Sequence, residues 1–291
     1  MNRYKFKEAD FKAAIHYIKT GKNQIDAPNW AIKKKEELTI KGSKVFFKNM
    51  EIIAEEKIDD YLRDAIYSKD GTMPFGRDSI FHKMKATVIG IPRRRVMEFL
   101  RAQKTLGETR PAIPEPKIRS GPKLKKLTLE TDLVFVKKAD VVQAQPRLEK
   151  KVDKELTYIL CTVEKSSGLC KLDYVTTKEA NIVTPLVKEA VKWFAKKFNK
   201  KPAEFALRSD KGSEFNINEL KKLVPDSGNV SSGVSVERKN RQLQANFFRI
   251  LRNRQARGIK QAVQKAEDIC NETMNSNHNK TPNELVAGGK I

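Results

Sequence analysis

The sequence predicts an α/β protein: a mixed sheet with helices packed on it, preceded by a small, mainly helical domain that carries a β-hairpin. Three observations predict it. After residue 127, segments of strand and of helix periodicity follow one another: three strands joined by hairpins, a helix, a strand, a helix, room for a short strand, and a long helix. Residues 107–126 hold Pro111, Pro114, Pro116 and Pro122 with no apolar periodicity, which marks an extended linker. The 291 residues suffice for one large or two modest domains, so the expected division is 1–106, linker 107–126, and 127–291.

In the first domain, Phe6, Phe11, Ala14, Ile15 and Ile18 recur at helical spacing, and Gly21 ends the run. Leu38-Thr39-Ile40 and Val45-Phe46-Phe47 flank Lys41-Gly42-Ser43, a hairpin with glycine in its turn. Ile58, Tyr61, Leu62, Ala65 and Ile66 mark a helix stopped by Asp70-Gly71, and a further helix after Gly76 carries Ile80, Phe81 and Met84. Pro92 suits the start of the next one, which bears Val96, Phe99 and Leu100 on one side and Arg93, Arg94, Arg95 and Arg101 elsewhere. Two helices with a short break fit a helix-turn-helix and a generic helical hairpin equally well. The arginines favour phosphate contact and say nothing about sequence readout.

Beyond the linker, residues 127–136 (LTLETDLVFV) read as a strand with Asp132 inside it. A charge in such a strand is unusual unless it is paired or holds a metal; taken alone it reads as a surface residue of an edge strand. Residues 137–155 are polar and read as a loop. Residues 156–163 and 172–175 are the second and third strands, with Ser166-Ser167-Gly168 as the turn between them. Residues 182–198 form an amphipathic helix with Val187, Ala190, Val191, Phe194 and Ala195 on its apolar side. The apolar run Phe205-Ala206-Leu207 leads into Arg208-Ser209-Asp210, as a buried strand does when it delivers a side chain at its end, and Lys211-Gly212 then permits a tight turn. A short helix follows near Leu220 and Val224. From Val234 the period is helical: at about 100° per residue, Val236, Leu243, Phe247, Ile250 and Leu251 share one arc. Glu237 lies at the edge of that arc, with Arg238, Arg241, Arg249 and Arg252 on its outward side.

Charge decides the class of partner. With 59 Lys and Arg against 36 Asp and Glu, the net charge of +23 attracts polyanions, nucleic acid first and anionic membrane second. No apolar run reaches membrane-spanning length, and the first residues lack a signal-peptide core. Cys161, Cys170 and Cys270 have no CxxC spacing, and Cys161 and Cys170, which flank the gap between two apolar runs, read as strand residues in a reducing compartment; His16, His82 and His278 are scattered, so no zinc site is spelled out. Asp210, Glu214 and Glu237 stand amid cationic residues. Carboxylates sharing a small space repel unless a cation separates them, and Mg²⁺ takes one or two carboxylates plus phosphate oxygens.

These residues resemble a family. Asp132 in a first strand, Ser209-Asp210-Lys211-Gly212-Ser213-Glu214-Phe215 after a fourth, and Val236-Glu237-Arg238-Lys239-Asn240-Arg241 on a helix look like the DDE catalytic core of retroviral-type integrases and transposases. The closing Thr281-Pro282-Asn283-Glu284-Leu285 is similar to the end of that core, and within the family the likeness is closest to integrases of Maverick/Polinton elements and related viruses. The resemblance implies an RNase H-like, mixed five-stranded sheet. It implies two Mg²⁺ or Mn²⁺ ions held by Asp132, Asp210 and Glu237, which would trim the ends of element DNA and join them to target DNA. Glu214 would be structural. Double-stranded DNA would meet Lys211, Arg238, Lys239, Arg241, Arg249 and Arg252, and in the first domain Arg93, Arg94 and Arg95. A homo-oligomer on DNA is implied, in a eukaryotic nucleus or a viral particle or factory, with no membrane partner. A relative that binds DNA without cutting it is the alternative.

The N-terminal domain resembles the small domain that binds zinc in many relatives. Here Tyr67 and Met73-Pro74-Phe75-Gly76 fall where its histidines would be, and residues 99–105 contain no cysteine, so no zinc is expected. The interval between Asp210 and Glu237 is shorter than the family shows, and the missing part corresponds to a strand and the loop before the helix. The sequence ends soon after the core, so the family's C-terminal domain is absent or lies outside it.

Overall fold

Apolar residues at helical spacing form α1 (Glu8–Thr20), and Gly21 closes it at φ +71°, its N–H bonded to the Tyr17 carbonyl. The structure is a computed structural model describing residues 5–22, 25–67, 76–103, 127–152, 154, 156–229, 234–275 and 279–288; the expected linker, the Asp70-Gly71 stop and Met73-Pro74-Phe75 lie outside them. The chain divides into two compact units, Met1–Lys104 and Thr105–Ile291.

In the first unit, α2 (Asn29–Lys33) buries Trp30 against the rings of Phe6 and Phe11. The hairpin forms from β1 (Leu38–Lys41) and β2 (Lys44–Phe47), with Gly42 at φ +62° in the turn. Lys48 and Asn49, both at positive φ, then turn the chain into β3 (Met50–Ile52). After α3 (Ile58–Tyr67) and α4 (Arg77–Met84) comes β4 (Val88–Ile89), which pairs in parallel with β3, and then α5 (Arg93–Ala102). The hairpin is therefore half of a four-stranded sheet, and a strand lies between α4 and α5 where a tight helix-turn-helix link was one of two expectations. Two residues show no period, so β4 is visible only through its distant partners Glu51 and Ile52. Tyr67 packs on Phe99.

The second unit opens with β5 (Thr128–Lys137), followed by α6 (Lys138–Ala144), β6 (Leu156–Glu164), β7 (Cys170–Val175) and α7 (Ala180–Phe198). Then come β8 (Ala206–Ser209), α8 (Ile217–Lys221), β9 (Asp226–Asn229), α9 (Val234–Arg252), α10 (Ile259–Glu272) and α11 (Pro282–Ala287). The sheet runs β7-β6-β5-β8-β9; β6 is antiparallel to β5 and β7, while β8 and β9 follow β5 in parallel. This mixed five-stranded sheet flanked by helices is the RNase H-like arrangement.

Three elements depart from the sequence-based expectation. Residues 138–144, read as loop, are α6, a helix of two turns anchored by Val141 alone and too short to show a period. The short strand for which the sequence left room between Asp210 and Glu237, and which the shortened interval put in question, is present as β9; its Asp-Ser-Gly-Asn sequence has no strand propensity. It is held by its ladder to β8 and by Arg208, which donates to the Asp226 carbonyl (2.7 Å) and carboxylate (2.8 Å). The third is α10, unassigned although Ile259, Ala262, Val263, Ala266, Ile269 and Cys270 recur at helical spacing.

Each face of β5 has its own partner. Leu129 and Leu133 join Leu160, Val187, Val191 and Phe194 in the core beneath α7. The alternate side chains Glu130 and Asp132 meet α9, whose arc Val236, Leu243, Phe247, Ile250 and Leu251 is buried throughout. α10 covers the outer edge of β7 with side chains in place of a strand. Glu267 accepts the Leu172 N–H (2.7 Å), and Asn271 both accepts the Cys170 N–H (2.9 Å) and donates to its carbonyl (2.8 Å). Replacing Asn271 by Ala leaves two buried backbone groups without partners. Denaturant titration is expected to show a loss of about 2–4 kcal/mol; a change within noise would mean that the edge needs no cover.

Candidate active site

Register brings the two aspartates together. β5 and β8 pair in parallel from Thr128 with Ala206 to Thr131 with Ser209, and Asp132 and Asp210 are the next residue on each. Neighbouring parallel strands thus present a carboxylate at the same level, at the carboxyl end of β8 where open α/β sheets bind ligands. The chain turns at once after Asp210: the Gly212 N–H donates to Asp210 Oδ1 (3.1 Å), and Ser209 Oγ donates to the Asp210 carbonyl (3.0 Å). The Asp210 side chain remains exposed. Glu214 folds back over Gly212, where a Cβ would meet its carboxylate; that end of a flexible side chain can move aside, so neither Glu214 nor a positive φ makes glycine obligatory there.

Glu237 comes from α9, in its first turn. Two contacts hold this end of the helix to β5. Glu130 Oε2 accepts the N–H groups of Ser235 and Val236 (both 3.1 Å), and Asn240 Nδ2 donates to Asp132 Oδ2 (2.8 Å). The Leu133 N–H occupies the other oxygen of Asp132 (2.8 Å). Burial pushes the Asp132 carboxyl above the ordinary carboxylate range, and the negative charges of Asp210 and Glu237 push the same way against the Leu133 and Asn240 hydrogen bonds. Three carboxylates far apart in sequence therefore act on one another electrostatically.

This donor set is all oxygen, which suits a hard divalent cation. Among the described residues, no three His, Cys, Asp or Glu side chains stand close enough to hold a metal as placed. Asp210 and Glu237 are exposed. Beside Asp132, Asn240 Oδ1 is buried without a hydrogen-bond partner among the described residues.

The expected DNA-facing cations divide. Lys211, Arg238 and Arg241 are exposed around the carboxylates, whereas Arg249 and Arg252 are half-buried further along α9. Lys239, which the resemblance put among the DNA contacts, is half-buried, bonded to Gln242 Oε1 (3.2 Å) beside Gly168. Its charge opposes the burial that raises the Cys161 thiol. In the first unit, Arg94 binds Glu98 (2.7 Å), Arg95 binds Asp59 (3.0 Å), and Arg93 lies over the Phe81 ring, 3.9 Å from Asp78. These arginines already have carboxylate neighbours to exchange for phosphate. Glu130 and Asn240 are the site residues that sequence reasoning missed. The signal for Glu130 was its place two residues before Asp132, which puts both on one face of a strand.

No protein-family model matches the chain, and no curated protein matches it. Among solved structures, the catalytic core domain of BIV integrase is similar over 57% of this chain and 96% of that chain, at 17% identity and a TM-score of 0.40.

The raised Asp132 carboxyl carries a sign. Its folded-state value lies above the unfolded one, so the cost of ionising it is absent below the unfolded value and is fully present once pH has risen through the folded value. Asp132→Asn in chelator is therefore expected to raise the melting temperature by a few degrees near pH 8, with the gain shrinking as pH falls toward about 4. A variant that melts lower than wild type at both pH values would reject the like-charge account.

Proposed function

We propose that residues 127–291 are the core of a DDE-type polynucleotidyl transferase and endonuclease, an integrase or transposase that performs 3′-end processing and strand transfer on double-stranded DNA. The observation that carries this reading is the convergence of three motif carboxylates. Asp132, inside β5, and Asp210, directly after β8, stand level on neighbouring parallel strands, and Glu237 lies in the first turn of the helix bound to β5. The net charge of +23 supports a polyanionic substrate. The spelling of the motifs supports a kinship with Maverick/Polinton and related viral integrases, and with it action in a host nucleus or viral factory as a multimer on paired DNA ends.

Asp132, Asp210 and Glu237 would hold two Mg²⁺ or Mn²⁺ ions, which when bound supply activation of a water or a 3′-hydroxyl and stabilisation of the leaving oxygen. The residues themselves do the positioning. Asp132 is oriented from both sides, by the Leu133 N–H and the Asn240 amide. Asp210 is held by the turn it makes with Gly212, and Glu237 by the attachment of the helix that bears it. The exposed Lys211, Arg238 and Arg241 flank the carboxylates and draw the phosphate backbone across them. No helix among the described residues is long and apolar enough to cross a membrane.

A second reading, a relative that binds DNA without cutting it, is favoured by the open spacing of the three carboxylates as placed. A strand-transfer assay with Mg²⁺ or Mn²⁺ separates the two. Under the first reading wild type yields joined products, and Asp210→Asn reduces them by about 100-fold or more. Full activity in that variant would reject the assignment, and the absence of joined or nicked products from wild type in either metal would leave the second reading. Both readings share a salt dependence: the logarithm of DNA affinity should fall linearly with that of salt, and Arg241→Ala should reduce the slope by about 1. An unchanged slope would remove Arg241 from the DNA-contacting surface.

A further inference from the structure

One carboxylate beside the site has no place in the metal set. Glu130 is 5% exposed on a strand buried on both faces, two residues before Asp132 and pointing the same way. Its Oε2 accepts the Ser235 and Val236 N–H groups, and its Oε1 stands 3.4 Å from Lys165 Nζ. N–H groups in the first turn of a helix have no acceptor within the helix. A Ser, Thr, Asp or Asn just ahead of the helix normally supplies one. Here the acceptor comes from a strand more than a hundred residues earlier. Burying a carboxylate costs several kcal/mol unless its charge and lone pairs are met. A local cap would satisfy the helix without that cost, so what the remote cap adds is position.

Spacing shows what is positioned. From Glu130 to Asp132 the strand advances about 6.6 Å. From Val236 to Asn240 the helix advances about 6 Å. The contacts Glu130 with Val236 and Asp132 with Asn240 are thus matched rungs between strand and helix, and Glu237 is the residue directly after the first rung.

We infer that Glu130 is a positioning residue, which sets the height of α9 on β5 and thereby brings Glu237 to the level of Asp132. The inference rests on the metal-dependent reading above and deepens it: Glu130 touches neither metal nor DNA and acts through the helix. The positive end of α9 and the Lys165 ammonium keep its charge satisfied while it does so.

The test is a Mn²⁺ titration of the full chain followed by electron paramagnetic resonance, with amide hydrogen exchange at Ser235 and Val236. Glu130→Ala is expected to weaken Mn²⁺ binding by about 10- to 100-fold, the scale for groups that orient metal-binding side chains, and to speed exchange at both amides. Glu130→Gln keeps an oxygen for the two N–H groups and should recover most of the affinity. Val187→Ala, in the core under α7, is the stability control: a lower melting temperature with Mn²⁺ affinity unchanged. Wild-type affinity in Glu130→Ala overturns the inference and leaves the metal reading standing. If wild type itself binds no Mn²⁺, the metal reading falls and the positioning role falls with it. Should Glu130→Ala fail to fold, Glu130→Asp decides, because it keeps the charge one methylene short of the helix; undiminished affinity there equally overturns the inference.

Discussion

The second unit is organised by the way β5 divides its two faces. Paired along both edges, with β6 on one side and β8 on the other, the strand has no freedom to shift by a residue without turning every side chain over. One face sends Leu129 and Leu133 into the core under α7, and that apolar set locks the register. The other face is then obliged to direct Glu130 and Asp132 at α9. The acidic site is a consequence of the same alternation that builds the core.

That arrangement holds negative charge where folding disfavours it. Asp132 is half-buried with two carboxylates acting on it, and Glu130 is buried outright. Hydrogen bonds offset part of the cost: Leu133 and Asn240 to Asp132, Ser235 and Val236 to Glu130. Under the proposed function a divalent ion would relieve the residual repulsion at Asp132. In the same reading the surrounding basic residues would draw a polyanion to the surface; Lys211, Arg238 and Arg241 are exposed.

Much of this was legible in the chain. The alternation through residues 127–136, the apolar run before Asp210 and the arc of α9 each gave their element to within a few residues, because each buries one face and burial imposes a period. Among the elements that were missed or only allowed room for, three lack that signature, whereas α10 carries it. β4 is two residues long, β9 is Asp-Ser-Gly-Asn, and α6 has a single buried valine; each is held by partners distant in sequence. Lys239 shows a different limit. The resemblance listed it among the DNA-facing cations, but at about 100° per residue it stands beside Leu243 and Ile250 rather than with the outward arginines, and its side chain lies by the β6–β7 turn.

By itself the sequence determined the candidate carboxylates Asp132, Asp210 and Glu237, the motifs they stand in, and the cationic setting, since charge and period are properties of the chain. Only the tertiary structure decided that Asp132 and Asp210 stand level on adjacent strands, and that α9 is tied to β5 through Glu130 and Asn240. The physical reason is that strand register and helix height are set by hydrogen bonds between residues about a hundred positions apart, and no local pattern encodes such a pairing.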